Sequence, residues 1–542
     1  MTRREWAAAV AASAGAAVAA PSRDPILRRN DAAVERYLQT QAVEGRWSGA
    51  VPDATGLYLA GSCGGVINVC TASYVHPASR FHGDARVKNA IRLAAEHLAK
   101  VQTADGNIDL EVTNFNSPPD TGFVVWNVAE AASVARRHGA PDIEQMLWPF
   151  LTRAGAAMAK GGVHTPNHRW VVSSALAQIH ALRPDPANLR RIDQWLAEGI
   201  DIDSDGQYTE RSTTIYNTVC DRSLVVLGAK LNRPELFEPV RKNLDSMMYL
   251  LHPGYEVVTE ISRRQDLNQR GTMGRYWQPL AVLGLHDKNG QYWGLAKHFE
   301  AEHAALSTLL DNPELGGPGP EPKPVPEDYQ RHFPALGLVR TRRGPLSASI
   351  LLGGSSRFFS IRQGGAVIEA IRFASAFFGK GQFIPSSWSQ DGDSWVLRQN
   401  LQGAYYQPIQ AKVAAGEWGA VRSQRATSEV CKLEQSAVIT PTQKGFRLRL
   451  QSTGTPGVPV AVEIGVRREC RFSGCTQLTS GAWLLDNAPL RISDGVHEIR
   501  VTPGAAEHRY VDVRGAEPKL PCECVYLTGY TPFDRTLELE VS

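Results

Sequence analysis

Two stretches of the sequence contain most of the side chains that could transfer protons. Residues 201–217 read DIDSDGQYTERSTTIYN, in which an acidic turn is followed by two phenols, a carboxylate and a guanidinium. Residues 164–170 read HTPNHRW and place an amide beside an imidazole where a helix is predicted to begin. The candidate residues in these stretches are Asn167, His168, Tyr208, Glu210, Arg211 and Tyr216. General acid–base catalysis needs such groups within hydrogen-bonding reach of a substrate. We therefore predict an active site here.

The elements that must position these residues are predicted to be helices. From residue 31 to about residue 310, apolar side chains recur at three- and four-residue spacing, which indicates amphipathic helices. Residues 105–106 and 205–206, both Asp-Gly, each follow one helix and precede a loop to the next. We predict helical hairpins packed side by side as an α/α toroid, with loops 58–81 and 108–121 lining a cleft at one end.

The spacing of apolar residues changes from helix-like to strand-like after a proline-rich segment. Residues 313–328 contain several prolines, which predicts a stiff linker. Beyond it, short β-rich runs such as 346–352 and 458–466 are bounded by Gly, Pro, Asn or Asp, which is typical of an antiparallel sandwich. We predict a multidomain α+β protein, with an (α/α) toroid at 21–312 and an antiparallel β-sandwich at 329–542.

This layout resembles a superfamily of polysaccharide lyases that includes the heparinase II/III and alginate lyase families. The resemblance rests on Asn167-His168 and on residues 205–217, DGQYTERSTTIYN. The latter run is similar to the heparinase-type succession of Asp-Gly, an aromatic residue, Glu, Ser and Tyr. Heparinase-like members also carry a His-rich strand early in the sandwich, whereas residues 357–383 here contain no histidine. The resemblance implies an enzyme that cleaves a uronic-acid-containing glycan by β-elimination without a cofactor. The departure argues against a sandwich-domain zinc.

β-Elimination sets clear chemical requirements for the site. The proton at C5 of the uronate is removed and the oxygen at C4 is expelled, so the enzyme must stabilise an enolate-like intermediate and supply a base and an acid. Asn167 would donate to the uronate carboxylate. His168, whose ordinary pKa lies near neutrality, would be the base. Tyr216 would be the acid, or would serve in both roles if the elimination is syn.

Each of these residues also has a purely structural interpretation. Asn167 could cap the helix that follows, and His168 could be packed or solvent-facing. Tyrosines at a helix start are usually half-buried packing groups, and Tyr208 competes with Tyr216 for the acid role. Glu210 and Arg211 would orient the site through an ion pair.

Basic and aromatic side chains elsewhere could hold an acidic sugar. Arginine binds carboxylates bidentately, although an arginine cluster can equally be a solvated basic face. Tryptophan can stack on sugar rings, although aromatic residues in helices more often belong to the core. The candidate substrate-binding residues are His164, Glu210, Arg211, Arg263, Arg264, Trp126 and Trp170, with Arg270 and Arg275 near the arginine pair.

The acidic turn at residues 201–206 also resembles the start of a calcium loop, because Asp201, Asp203 and Asp205 alternate. An EF-hand loop would place an acidic residue at its twelfth position, which is Ser212 here. A plain acidic turn is the favoured alternative. No metal site is predicted.

The composition limits the partners and the location of the protein. The chain has 542 residues, with 58 basic and 55 acidic side chains and a net charge of +3, so we expect several domains and no nucleic-acid partner. Residues 1–20 contain Arg3-Arg4 and an Ala/Val run, which predicts a twin-arginine export signal. We expect a periplasmic or secreted protein without membrane association in its mature form. Disulfides among the eight cysteines are plausible.

Two other functions remain open from the sequence. An α/α-barrel glycoside hydrolase would use a carboxylate pair such as Glu210 with Asp105 or Asp221. A non-catalytic glycan-binding protein would have the arginines and aromatic residues but no working proton-transfer set.

Overall fold

The computed structural model describes residues 23–504 and 506–542. The chain separates into two compact units. One contains the chain up to Met248 together with Glu256–Val325, and the other contains Pro326–Ser542 together with Tyr249–Tyr255. The division after Val325 lies within the proline-rich segment. The predicted export segment, residues 1–20, lies outside the described residues.

The first unit is helical. Helices α1 to α6 are Arg23–Thr40, Ala60–Val75, Ala85–Val101, Pro118–Arg137, Pro141–Met158 and His168–Leu182. Helices α7 to α12 are Pro186–Ala197, Tyr216–Leu231, Phe237–Met247, Trp277–His286, Gly290–His303 and Leu306–Asp311. A two-stranded sheet, β1 (Ile108–Leu110) with β2 (Asn114–Ser117), precedes α4.

Alternate helices form the inner layer of this unit. Helices α2, α4, α6, α8 and α10 pack each against the next, and the intervening helices pack on their outer side. Helix α1 contacts both α2 and α11, which joins the first and last hairpins. The predicted α/α toroid is therefore confirmed. Among the described residues, no helix combines the length and apolar character needed to cross a membrane.

Local sequence signals explain where these helices begin. Helices α4, α5 and α7 each start with proline, which suits the first turn because its backbone N–H groups lack intrahelical partners. Before α4, Ser117 Oγ accepts a hydrogen bond from the Asp120 amide at 3.2 Å. Helix α8 begins at Tyr216, well before the apolar run at 224–231, because Ser212 Oγ accepts from the Tyr216 amide at 3.1 Å.

The two Asp-Gly turns have one structural role in common. Gly106 has φ +97° and Gly206 has φ +83°, a left-handed conformation that glycine adopts readily. A Cβ on Gly106 would lie 2.6 Å from the Arg153 carbonyl oxygen, and a Cβ on Gly206 would lie 2.3 Å from that of Lys242. Each turn therefore packs its backbone directly on an outer helix, α5 or α9.

The second unit is a sandwich of two large sheets. Strands β3 to β10 are Asp328–Phe333, Leu338–Arg343, Leu346–Leu351, Phe359–Gln363, Ala366–Ser375, Ser387–Asp391, Ser394–Tyr406 and Thr427–Thr442. Strands β11 to β19 are Gly445–Gly454, Pro459–Val466, Arg471–Ser473, Cys475–Thr479, Ala482–Leu485, Leu490–Ser493, Glu498–Val501, Glu523–Tyr530 and Phe533–Val541. A short helix, α13 (Trp418–Val421), lies between β9 and β10.

One sheet has nine strands, in the order β14-β15-β18-β12-β7-β6-β5-β4-β3. The other has eight strands, in the order β13-β16-β17-β19-β11-β10-β9-β8. Pairing is antiparallel except between β15 and β18. Apolar side chains from both sheets form one core. The predicted antiparallel sandwich is confirmed. All eight cysteines, each within the described residues, are free thiols.

Candidate active site

The two predicted stretches meet where α6 and α8 begin. These helices pack against each other; Asn167 immediately precedes α6, and Tyr216 is the first residue of α8. Asn167 Nδ2 donates a hydrogen bond to Glu210 Oε2 at 2.5 Å. Residues far apart in the sequence are therefore joined directly, at one end of the helical unit.

The side chain of Asn167 does not cap the helix it precedes. It makes no hydrogen bond to the first-turn amides of α6, and only 1% of the residue is exposed. Its amide group instead donates to Glu210 and, at 3.4 Å, to Thr165 Oγ1. Its carbonyl oxygen has no partner among the described residues. The capping interpretation is wrong, since the amide faces the side chains of the loop before α8.

Arg264 connects the carboxylate to the phenol. Its Nε lies 3.3 Å from Glu210 Oε1, and its Nη2 donates to Tyr216 Oη at 3.4 Å. The guanidinium also lies over the Tyr216 ring, 4.8 Å from its centre. Gln265 Nε2 donates to the same phenol oxygen at 3.0 Å. Two donors therefore converge on Tyr216 Oη.

Burial and charge oppose each other at Glu210. The loss of solvent raises the pKa of this carboxyl, while the hydrogen bond from Asn167 and the nearby Arg264 act in the opposite direction. The direction of the net shift is upward, so Glu210 takes up a proton more readily than an ordinary glutamate. The hydrogen bond to Tyr216 is the largest of the causes that raise the pKa of Arg264.

Asp266 fastens the loop that carries Tyr216 to the loop that carries Arg264 and Gln265. Its carboxylate accepts hydrogen bonds from Ser212 Oγ at 2.9 Å and from the amide and hydroxyl of Thr214 at 3.1 and 2.9 Å. A further bond comes from the Ser262 hydroxyl. The Arg263 amide also donates to the Glu210 carbonyl at 3.1 Å. Neither Asp266 nor Gln265 was predicted as a site residue, because no local sequence pattern indicates these contacts.

His168 is a buried, neutral imidazole. Burial is the main cause that lowers its pKa to about 4, with a contribution from His164. The two rings are edge to face at 4.8 Å, and Phe123 packs edge to face on His168 at 6.0 Å. Nδ1 of His168 has no partner among the described residues. The imidazole can therefore accept a proton, although its low pKa makes it a weak base.

Tyr208 is not accessible to a substrate in this conformation. Only 2% of the residue is exposed, and its hydroxyl donates to Asp221 Oδ1 at 2.8 Å. Burial raises the pKa of both the phenol and the Asp221 carboxyl well above their usual ranges. This pair belongs to the core of the unit, so Tyr216 alone remains as a candidate acid.

The remaining candidates divide between the core and the surface. Trp170 is fully buried, and Trp126 is buried with its Nε1 donating to Ser174 Oγ at 2.7 Å, so neither can stack on a sugar in this conformation. His164 and Arg263 are exposed beside the site. Arg211 adopts φ 49° and lies 3.8 Å from Asp203, rather than forming the predicted pair with Glu210.

The acidic turn is held by protein contacts. Asp203 Oδ1 accepts from the amides of Asp205 and Gln207 at 3.0 and 2.9 Å. Asp201 forms an ion pair with Arg169 at 2.7 Å. No group of three or more His, Cys, Asp or Glu side chains among the described residues could hold a metal ion. Asp201 and Asp203 therefore both have protein partners in this turn.

Comparison with known proteins identifies structures of the same architecture. No protein-family model and no curated protein matches the chain. The chondroitin AC lyase of Streptomyces coelicolor A3, solved in complex with chondroitin sulphate, superposes with a TM-score of 0.54 at 15% identity. The match covers 97% of this chain and 80% of that one. This chain shares the fold of that lyase.

A second solved structure of this kind is a Paenibacillus xanthan lyase, with a TM-score of 0.60 and 10% identity. The match covers 97% of this chain and 57% of the xanthan lyase. The predicted resemblance to the polysaccharide lyases is thus confirmed for the fold over nearly the whole chain. At such low identity the likeness concerns the fold alone, since one fold can carry many different sites.

Proposed function

We propose that the protein is a polysaccharide lyase that cleaves a uronic-acid-containing glycan by β-elimination. The observation that carries this proposal is the chain of contacts from Asn167 through Glu210 and Arg264 to Tyr216. It joins an amide, a carboxyl, a guanidinium and a phenol at one end of the helical unit. The fold supports the proposal, because the solved lyases with this architecture act on polysaccharides according to their names.

The uronate carboxylate would bind to Arg264. Asn167, which is buried in this conformation, would donate to it once the loop before α8 moves on substrate binding. The N–H donors of both residues would neutralise its charge, which makes the C5 proton more acidic and stabilises the enolate-like intermediate. Glu210 holds both donors in place. Because burial raises the pKa of Glu210, this carboxyl can take up a proton when the negatively charged sugar arrives. That proton would remove the repulsion between the two carboxylates.

The proton transfers would involve His168 and Tyr216. His168 takes the proton from C5, the electrons of that bond form the C4–C5 double bond, and the C4–O bond breaks. Tyr216 gives its proton to the departing oxygen. A uronate carboxylate next to His168 would raise its low pKa, because a neighbouring anion favours imidazolium. In a syn elimination Tyr216 would perform both transfers, and the donors Arg264 and Gln265 would stabilise its phenolate.

The hydrolase alternative is less well supported by the geometry. Its two carboxylates must flank the glycosidic bond. Asp221 is fully buried and bound to Tyr208, and Asp105 accepts from Asn116 Nδ2 at 2.7 Å in a separate turn. Neither contacts Glu210, whose oxygens face Asn167 and Arg264. A non-catalytic glycan-binding protein does not require two donors on the Tyr216 hydroxyl, whereas a lyase would use them to stabilise a phenolate.

Ultraviolet absorbance of the conjugated uronate tests the proposal. The purified mature protein is incubated with a panel of acidic polysaccharides, and absorbance and reducing ends are followed together. We expect both to rise, and His168→Ala and Tyr216→Phe to abolish the rise while substrate binding persists. New reducing ends without absorbance, lost in Glu210→Gln and Asp105→Asn, would establish hydrolysis instead. Binding without either product would indicate a glycan-binding protein.

We also propose that the protein is exported and acts without a nucleotide or organic cofactor. The support for export is the Arg3-Arg4 pair followed by an Ala/Val run. Mass determination of the protein from cell fractions should show a periplasmic or secreted form that lacks the first residues. A full-length protein confined to the cytoplasm would refute export.

A further inference from the structure

A cavity of about 230 Å³ adjoins the proposed catalytic residues. Gln265 lines the cavity and also donates a hydrogen bond to Tyr216 Oη at 3.0 Å. One side chain therefore separates the cavity from the phenol. The polar lining of the cavity includes Gln265, Gln269, Arg270, Thr272, Arg275 and His303. The volume lies below the about 300–1,000 Å³ typical of pockets for drug-sized ligands. It suits a single substituted sugar residue rather than an oligosaccharide.

The wall of this cavity is basic. Arg270 and Arg275 contribute two guanidinium groups, and Asp266 is the one carboxylate among the lining residues. His303 adds an imidazole whose pKa is lowered, mainly by burial. Both oxygens of Asp266 already accept hydrogen bonds from the serine and threonine groups described above. Its charge is therefore largely compensated. Arg270 and Arg275 are both exposed to solvent.

Close packing fixes the backbone of this wall. A Cβ on Gly271 would lie 2.6 Å from Thr214 Cγ2, and a Cβ on Gly274 would lie 2.0 Å from His303 Nε2. Arg29 donates to the carbonyls of Ala301 and Ala304 at the end of α11, next to His303. The cavity is thus a built feature of the fold, because neither Gly271, which lines it, nor Gly274 nearby in the chain admits a side chain without displacing its neighbours.

We propose that this cavity binds an anionic substituent, a sulfate ester or a carboxylate, on the sugar next to the uronate that is cleaved. The inference rests on the proposed lyase function and names a feature of its substrate. Arginine suits both groups, because its planar guanidinium donates in parallel to two oxygens. Gln265 links the cavity to Tyr216, so an anion bound here would place the scissile oxygen beside the phenol.

A binding measurement tests the cavity without any turnover. Inorganic sulfate and acetate are titrated into the mature protein at constant ionic strength, and the His303 imidazole is followed by NMR with His303→Gln for assignment. We expect a saturable shift that is lost in Arg270→Gln/Arg275→Gln. The matched control is Arg447→Gln/Arg449→Gln, which removes the same charge from exposed positions on β11 and should retain the shift. No saturable shift with either anion would overturn the proposal, whether or not the protein is a lyase.

A turnover measurement then distinguishes the two sources of the anion. Each uronate polymer is compared with its desulfated form, and each homopolyuronate with a form in which part of the carboxyls have been reduced. Loss of a hydrogen bond to a charged group commonly weakens an interaction about tenfold or more. The variant Arg270→Gln/Arg275→Gln should therefore lower kcat/KM about tenfold on the polymer form that carries the recognised anion. It should change kcat/KM less than about twofold on the other form. Equal loss on both forms of every polymer would contradict a specificity role.

Discussion

The two tyrosines of the loop before α8 should respond in opposite ways when each is changed to phenylalanine. Tyr216 Oη receives hydrogen bonds from Arg264 and Gln265 at the surface of the helical unit. Both donors can return to water when the hydroxyl is removed, so we expect the unfolding free energy to change by less than about 1 kcal/mol. Turnover should fall about 10²–10⁴-fold, because that is the usual contribution of a positioned acid or base.

Tyr208 provides the matched control. Its hydroxyl is buried and donates to the buried Asp221, so Tyr208→Phe leaves a carboxyl oxygen without its partner. An unsatisfied buried polar group costs about 1–3 kcal/mol. We therefore expect a clear fall in the thermal midpoint of the helical unit, with kcat within a few-fold of wild type at temperatures where the protein is folded.

Differential scanning calorimetry and initial rates on the same preparations would decide between the two roles. A stable Tyr216→Phe protein without turnover, beside an active but less stable Tyr208→Phe protein, is the expected pair of results. The reasoning would be refuted by full turnover in Tyr216→Phe, or by loss of turnover in Tyr208→Phe at temperatures where its calorimetric transition has not begun.

Three further predictions concern the groups around this loop. Asp266→Ala should lower both kcat and the thermal midpoint, because it frees two loops, and Asp266→Asn should recover part of the stability; unchanged kcat in Asp266→Ala would contradict the positioning role. Between about pH 6.5 and about pH 4, His168 is protonated in the unfolded chain but not in the folded protein. The free energy of unfolding should therefore fall as the pH is lowered through this range, and it should fall less steeply in His168→Ala. Chelation with EGTA should leave the thermal midpoint unchanged, because Asp201 and Asp203 already have protein partners; a fall restored by calcium would reverse that conclusion.

The architecture could be predicted because it follows from periodicity. Apolar spacing in the first part and short β-rich runs in the second part are local patterns, and they indicate the element types of most of the chain. The predicted loop at residues 58–81 was wrong, because helix α2 occupies Ala60–Val75. The residues at which helices begin were harder to predict from the sequence. Helix α8 begins at Tyr216 because of the Ser212 hydroxyl, whereas the apolar run that signals the helix begins later. The Tyr249–Tyr255 segment, which belongs to the sandwich unit, has no local signal of its own.

The sequence also indicated which residue types belong to the candidate site, since Asn167, Glu210, Arg264 and Tyr216 were all named from it. It did not separate Tyr216 from Tyr208, because both are phenols in the same short loop. The structure separates them by burial, with one phenol facing Asp221 in the core and the other facing Arg264. The same criterion places Trp126 and Trp170 in the core.

The sequence by itself therefore determined the two kinds of domain and the chemical groups available for proton transfer, because both depend on residue types and their spacing. Only the tertiary structure decided which groups meet. Asp266 and Gln265 contact the loop before α8 through the fold, and the pKa of His168 falls to about 4 mainly because neighbouring elements exclude water from it. Contacts, burial and local charge are properties of packing, and packing joins residues that the sequence keeps far apart.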